Sequence, residues 1–153
     1  MISPMKKLLT TITLLCFSVG ANGQESDISE IIEECSFRDA VNAKDAKAWA
    51  AELNYPHMRI TDGQVRLWST PEEWESFAVR RFSRMDDLGQ NGVQLISREV
   101  TLVDDDKIHI FTENERITAN NEVLARFQML TICTRVDGRW GAQVISHNAP
   151  PLN

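Results

Sequence analysis

One short stretch, NYPHMRITDGQVRLW (residues 54–68), constrains the fold of this chain more than any other. Asp62 and Gly63 form a preferred two-residue loop between antiparallel strands, because both positions tolerate positive φ. That loop sets a register in which Arg59 lies opposite Arg66. Alternation along the two strands then divides the side chains between two faces. We expect one face to be core, with Met58, Ile60, Val65 and Leu67, and the other face to carry His57, Arg59, Arg66 and Trp68.

Helical patterns stand on both sides of this hairpin. Before it, apolar spacing predicts one helix that begins near Ile28 and extends to Val41, and a short second helix capped by Asp45. After it, a third helix begins at Thr70, with Glu73 closing a capping box. Three helices therefore belong to the N-terminal half of the chain.

The rest of the chain reads as strands. The patterns VQLISREVTLVD, KIHIFTENERIT, VLARFQMLTICTRV and RWGAQVISHNA are separated by aspartate, asparagine and glycine residues that favour turns. Four strands joined by short turns form an antiparallel meander. Helices followed by a meander predict an α+β domain.

The first 23 residues have the layout of a secretory signal peptide. Lys6 and Lys7 precede an apolar run from Leu8 to Val19, and small residues precede a cleavage position before Gln24. The run is too short to span a bilayer comfortably. We expect a signal peptide over 1–23 and a single domain over 24–153, periplasmic or secreted, with no membrane insertion after cleavage.

The mature chain is acidic and keeps two cysteines. Removing the signal leaves 14 basic and 22 acidic residues, which argues against nucleic-acid binding, because neutralisation of phosphates dominates that affinity. Cys35 and Cys133 either form a disulfide in an oxidising compartment or are two buried thiols that do not meet.

The order helix, helix, hairpin, helix and meander resembles the nuclear transport factor 2-like superfamily. VNAKDAKAWAAEL before the hairpin, the TPEEW helix start and TRVDGRWGAQ near the end are similar to a bacterial, exported SnoaL-like group within it. The resemblance implies a cone-shaped, curved antiparallel sheet with the three helices packed on its concave face and an apolar pocket between them. It also implies a homodimer as one arrangement, since related folds often form one.

The catalytic members of that superfamily set expectations that this chain does not meet. Ketosteroid isomerase-like members use an aspartate base with a tyrosine and an acidic group, but the single tyrosine here, Tyr55, lies at the hairpin, and no aspartate falls in the middle of a predicted strand. Epoxide hydrolase-like members need an Asp-Arg-Asp arrangement, which the sequence does not let us assign. Whether the domain is an enzyme stays open.

His57 is the first candidate for chemistry. Its ordinary pKa lies near neutral pH, which suits a general acid or base. The alternative is a structural histidine that packs on Trp68 and bonds a nearby carbonyl.

The arginine pair raises a similar choice. Like charges directly opposite on a sheet are destabilising, so another group should neutralise Arg59 and Arg66. Either the glutamates of the third helix do so, or the two guanidinium groups form an anion-binding fork at the mouth of the pocket. The glutamates in question are Glu72, Glu73 and Glu75.

On the last strand, Gln143 and His147 either enter the cone or lie on the outer face. The predicted ligand-binding residues are Tyr55, Arg59, Arg66, Trp68, Trp74, Gln143 and His147. His57, His109 and His147 come from three separated elements without metal-binding spacing, so we predict no metal and no cofactor.

These patterns lead to a domain that binds a small, mostly apolar molecule, one that carries an acidic or carbonyl group. Two other interpretations stay open. One is a lyase or isomerase that uses His57 as proton carrier, and the other is a non-catalytic homodimeric interaction module.

Overall fold

The computed structural model describes residues 22–152, so residues 1–21 of the predicted signal peptide lie outside the described residues. The helices are α1 (Asn22–Glu34), α2 (Arg38–Asn42), α3 (Ala46–Ala51) and α4 (Pro71–Asp87). The strands are β1 (Leu53–Thr61), β2 (Gln64–Trp68), β3 (Gly92–Val103), β4 (Lys107–Ile117), β5 (Val123–Val136) and β6 (Arg139–His147). None of the described helices is long and apolar enough to cross a membrane.

The helices begin where their capping residues predict. The Asp45 carboxylate accepts a hydrogen bond from the amide of Ala48 at the start of α3 (2.9 Å). Thr70 caps α4 and accepts from the amide of Glu73, whose own carboxylate accepts from the amide of Ser69. The predicted first helix differs in one respect, because it is divided into α1 and α2 by a break after Glu34.

The hairpin has the predicted register. Arg59 pairs with Arg66, and the loop residues Asp62 and Gly63 have φ values of 53° and 70°. Positive φ at both positions is what a two-residue loop between twisted strands requires. The four later strands also lie where their patterns predict them.

The six strands form one curved, unclosed sheet in the order β2-β1-β6-β5-β4-β3. The predicted α+β class and curved antiparallel sheet are confirmed, with one addition: β1 and β6 are parallel neighbours. This parallel junction joins the hairpin to the last strand of the meander. It places Arg59 beside Ile145 in the sheet.

The prediction of which hairpin face is core was wrong. Ile60, Val65 and Leu67 are 38%, 63% and 56% exposed, whereas His57 and Arg59 are 0% and 6% exposed. The helices pack on the concave face of the sheet, and in β1 the concave face is the one that carries His57 and Arg59. The prediction placed the apolar face of the hairpin in the core. In the structure that face is the exposed outer surface of the sheet.

The core lies between the concave face and the helices. Phe82 and Met85 of α4 pack with Trp49 of α3, around the fully buried indole of Trp74. A second cluster joins α1 to the sheet through Ile32 and the disulfide between Cys35 and Cys133, and includes Ile108, Ile110 and Trp140. The disulfide that the sequence left open is therefore present, and it attaches α1 to β5.

Candidate functional site

An apolar cavity lies under the concave face of the sheet, covered by α1, α2 and α3. It encloses about 790 Å³, including its opening to solvent. Its wall is formed mainly by aliphatic and aromatic side chains, among them Ile32, Phe37, Val41, Trp49, Ile110 and Phe127. We call this space the apolar cavity.

A second space adjoins it at the open end of the sheet, between the hairpin, α4 and the segment after β6. It encloses about 1290 Å³, much of it open to solvent. In the part of the chain that the structure describes, six arginines line it, with one acidic residue, Asp62. The arginines are Arg59, Arg66, Arg80, Arg81, Arg84 and Arg116. We call this space the arginine basin.

Three polar side chains belong to both spaces: Arg59, Arg81 and His147. They mark the junction where the apolar cavity opens into the arginine basin. A molecule that occupied both spaces would therefore pass between two guanidinium groups and an imidazole.

Arg59 and Arg116 are the two buried arginines of this group, and Arg59 makes the more informative contacts. Its Nη2 donates to Nε2 of His147 across 2.6 Å, while its Nε and Nη1 have no hydrogen-bond acceptor. Its guanidinium carbon lies 5.6 Å from the ring centre of Trp74 and 5.9 Å from that of Phe77, so cation–π contacts hold it in place. Burial, together with the charges of nearby arginines, lowers its pKa well below the usual value.

Half-buried Arg81 of α4 and buried Arg116 of β4 lie with Arg59 in this group. Burial, followed by the charge of Arg116, lowers the pKa of Arg81 to about 10. Arg116 is 5% exposed, and its guanidinium lies 5.7 Å from the ring centre of Phe127. Burial lowers its pKa, and the charge of Asp62 acts in the opposite direction. The Nε atoms of both arginines have no hydrogen-bond acceptor.

Carboxylates do not compensate this group of positive charges. Within residues 28–152 the ion pairs are Lys44 with Asp86, Arg98 with Glu33 and Arg126 with Glu115, all elsewhere. The suggested neutralisation of Arg59 and Arg66 by the α4 glutamates is not seen in that part of the chain. Glu73 instead bonds the Ser69 amide, and Arg66 donates to the side chain of Gln64.

His147 lies between two donors. Arg59 donates to its Nε2, and the amide of Ala149 lies 3.2 Å from its Nδ1. A neutral ring accepts at one nitrogen only, so it can satisfy one of these two donors, whereas a protonated ring would turn an N–H toward both and satisfy neither. The neutral ring is therefore the better fit to this position. Burial, followed by the charges of Arg59, Arg81 and Arg116, lowers the pKa of His147 to about 3.

The surroundings of His57 match the alternative to a catalytic role, a histidine that packs against aromatic rings and bonds a carbonyl. Its ring is fully buried, its Nδ1 donates to the Ala142 carbonyl (3.1 Å), and it packs edge-on against Trp74 at 4.6 Å. Burial, with a smaller effect from the charge of Arg59, lowers its pKa to about 4. It lines neither the apolar cavity nor the arginine basin.

The remaining predicted site residues divide into two groups. Arg66 and Trp68 line the arginine basin. Tyr55, Trp74 and Gln143 line neither space. Tyr55 donates to the Ala50 carbonyl, Trp74 is fully buried in the core, and Gln143 bonds Thr134 and the Pro56 carbonyl.

Sequence reasoning did not single out Arg81 and Arg116. A signal existed for both. Arg116 continues the buried register of β4 that includes Ile108 and Ile110, and Arg81 lies three residues after Ala78 and four after Phe77, on the apolar side of α4. An arginine in a buried register is uncommon, and two of them that meet are a functional signal.

No group of three or more histidine, cysteine or acidic side chains is arranged to hold a metal ion within the described part of the chain. The three histidines are separated. His57 is in the aromatic core, His147 is at the junction, and His109 lies in the outward-facing register of β4.

A curved, unclosed sheet with helices on its concave face and a cavity between them defines a small α+β domain with an internal cavity. The chain belongs to the family described as NTF2-like protein (DUF6841), whose model matches residues 26–149. This confirms the predicted superfamily. The finer placement in the SnoaL-like group stays a prediction, and so does export. No curated protein matches the chain.

Solved structures support the fold assignment. An NTF-2 like protein of unknown function from Shewanella oneidensis MR-1 is 14% identical, with a TM-score of 0.62 over 82% of this chain and 98% of that chain. An NTF2-like protein of unknown function from Pseudomonas putida KT2440 is 15% identical (TM-score 0.63, 85% and 89%). A protein of unknown function with a cystatin-like fold from Nostoc punctiforme is 10% identical (TM-score 0.63, 83% and 91%). At these identities the likeness concerns the fold alone.

Proposed function

We propose that this domain binds a small amphipathic molecule, with an apolar body in the apolar cavity and an acidic group among the arginines. One observation carries the proposal: Arg59 is buried at the junction of the two spaces without a carboxylate partner in residues 28–152. A buried charge without a partner is strongly destabilising, whereas a paired one is not. An anionic ligand would supply the missing partner.

The lining agrees with such a ligand. Sites that hold small molecules usually combine apolar walls with a few placed polar groups. The wall of the apolar cavity is mainly apolar, and its polar part includes Arg59, Arg81 and His147. The guanidinium groups are suited to carboxylate or phosphate oxygens because of their planar, forked geometry.

The lyase or isomerase interpretation has less support. A proton carrier must come within hydrogen-bond reach of its substrate. His57 lines neither space, and its lowered pKa keeps the ring neutral at working pH. Binding without catalysis by His57 is therefore the function that this geometry favours.

A homodimer is the second candidate, and a different observation favours it. The outer face of the sheet carries apolar side chains in rows that cross from strand to strand. One row runs through Leu67, Met58, Val144 and Ile132, and a second runs through Val65, Ile60, Ser146, Leu130 and Phe111. All of these residues are exposed or half-buried. A large exposed apolar surface is typical of an interaction site.

Export is part of the proposal. The signal-like N-terminus and the disulfide between Cys35 and Cys133 both suit an oxidising compartment outside the cytoplasm. Sequencing the N-terminus of the protein from its own cells tests this directly. A mature chain that begins near Gln24 is expected, and full-length protein in the cytoplasm would contradict it.

Ligand binding can be tested with matched probes on the mature chain. Decanoate carries an apolar body and an acid, whereas decanol lacks the acid and acetate lacks the body. We expect decanoate alone to raise the melting temperature, since a ligand at a hundred times its Kd stabilises by about 2.7 kcal/mol. Native mass spectrometry of protein purified from its own periplasm should then find an amphipathic acid bound. Equal effects of decanol and decanoate would contradict the proposed role of the arginines.

A further inference from the structure

The number of positive charges in the arginine basin exceeds what a single carboxylate would balance. Arg59, Arg81 and Arg116 come from β1, α4 and β4 and line the same basin, with Arg59 and Arg116 buried and Arg81 half-buried. Four of their nitrogen atoms are buried without an acceptor: Nε and Nη1 of Arg59, Nε of Arg81 and Nε of Arg116. In an acidic protein of formal charge −6, this concentration of arginine is not a general property of the surface.

The described side chains around these three arginines do not balance their positive charge. His147 faces them as a neutral acceptor and satisfies one guanidinium nitrogen only. Among the described residues, Asp62 is the one acidic residue in the wall of the basin, and its carboxylate accepts from the Thr61 hydroxyl. Arg66, Arg80 and Arg84 add further positive charge around the opening. The site is therefore built for an occupant with more than one negative charge.

The directions from which the three guanidinium groups approach narrow the chemical class of the head group. A carboxylate offers two oxygens in one plane and one charge. A phosphate monoester offers three terminal oxygens and a charge of about −1.5 to −2 at pH 7. Three guanidinium groups that approach from three different elements match three oxygens on a tetrahedral centre better than two in a plane. The fourth substituent on that phosphorus, the ester group, would then point away from the arginines in one direction.

The apolar cavity lies in the direction in which that ester group would point. Arg59 and Arg81 line both spaces, so a head group held by them lies at the mouth of the apolar cavity. We propose that the arginine basin holds the dianionic head group of a phosphate monoester whose apolar substituent occupies the apolar cavity. This inference rests on the proposed function and names the ligand class of the same site.

The test compares head groups on one chain length. Calorimetric titration of residues 24–153 uses decyl phosphate, decanoate and inorganic phosphate. One further charge-assisted hydrogen bond corresponds to about a ten- to hundredfold change in affinity, so decyl phosphate should bind tighter than decanoate by that factor. Inorganic phosphate should bind far more weakly than decyl phosphate, because it leaves the apolar cavity empty.

Two variants of one position locate the effect. Arg116→Gln should bring the affinity for decyl phosphate down to about that for decanoate, and Arg116→Lys should lie between wild type and Arg116→Gln because it keeps the charge without the fork. Arg126→Gln is the matched control, since Arg126 lies on β5 outside both spaces and pairs with Glu115. It should change no affinity. Circular dichroism verifies that each variant is folded.

The outcomes separate this inference from the function on which it rests. Equal affinity for decanoate and decyl phosphate, or an unchanged ratio in Arg116→Gln, overturns the phosphate head group and leaves an amphipathic acid as ligand. Equal affinity for decyl phosphate and inorganic phosphate overturns the apolar substituent. Absence of binding by both decyl compounds overturns the proposed function together with the inference.

Discussion

Nη2 of Arg59 lies 2.6 Å from Nε2 of His147, and this contact joins β1, the first strand of the hairpin, to β6, the last strand in the chain. It exists because β1 and β6 are parallel neighbours. The imidazole accepts one guanidinium hydrogen and orients the group, and two other nitrogen atoms of Arg59 are left without acceptors. The residue that most resembles a ligand-binding group is thus held in position by protein contacts before any ligand arrives.

Replacing Arg59 with Met should separate stability from binding. The substitution removes a buried charge that lacks a carboxylate partner, and we expect the free energy of unfolding to stay equal or to rise by about 1–4 kcal/mol. Binding of decanoate should be lost. Urea denaturation with and without decanoate measures both effects.

The control for this experiment is Arg66→Gln, because Arg66 is exposed and bonds only Gln64. We expect its stability to stay within about 0.5 kcal/mol of wild type, as for most surface substitutions. A loss of stability in Arg59→Met without ligand would mean that Arg59 has a structural role, and the proposed binding role would then be wrong.

The sequence predicts the fold well because the fold depends on local signals. The Asp62-Gly63 loop, the Asp45 and Thr70 caps and the alternation in β4 each act within a few residues, and the structure has all of them. The buried face of the hairpin was predicted wrongly, because it depends on which side the helices cover. That choice is made by contacts between residues far apart in the chain.

The candidate site could be predicted only in part, because it too depends on contacts between residues far apart in the chain. Arg59 and His147 were both singled out, but their contact requires the parallel pairing of β1 with β6, which no local pattern encodes. Arg81 and Arg116 belong to elements separated by a whole strand, and only the folded chain brings them to one basin. His57 drew attention as a histidine near arginines, but the structure buries it in the aromatic core, outside both spaces.

His57 makes a specific prediction about pH. Its pKa in the folded protein is lowered to about 4, below its ordinary value of 6.5, so the unfolded chain binds a proton that the folded one does not. The stability that this group contributes is complete above pH 6.5 and is lost as the pH falls toward 4. The slope is at most about 1.4 kcal/mol per pH unit. Urea titrations at pH 7 and pH 5 measure it.

His57→Asn is the matching variant, because an amide at this position keeps a donor for the Ala142 carbonyl without titrating. We expect the loss of stability between pH 7 and pH 5 to be smaller in the variant than in wild type. The same loss in both proteins would show that the titrating groups are elsewhere.

The disulfide makes a prediction about α1. Cys35 and Cys133 are separated by 98 positions, and a bridge that closes so long a loop restricts the unfolded chain, which is worth about 2–5 kcal/mol. The double variant Cys35→Ser, Cys133→Ser should lose that stability. It should also bind decanoate more weakly, because Ile32 of α1 and Cys35 just after it line the apolar cavity.

Thiol titration of denatured, unreduced protein decides whether the bridge forms in the cell. No reactive thiol is expected in the mature chain, and two per chain would contradict the disulfide. A reducing agent should lower the stability of wild type and leave that of the double variant unchanged, which excludes a general effect of the reagent.

The last prediction concerns the outer face of the sheet and the proposed homodimer. Val65 lies in one of the apolar rows and is 63% exposed, and Val79 on α4 is 60% exposed on the opposite side of the domain. Full burial of a valine is worth about 1.5–3 kcal/mol in each subunit, so Val65→Lys should weaken a dimer formed through the outer face by at least tenfold. Val79→Lys introduces the same charge at the same exposure and should leave association unchanged. Sedimentation equilibrium over a wide range of concentrations measures both. A wild-type protein that stays monomeric throughout, or equal weakening by the two variants, would show that the outer face does not hold two chains together.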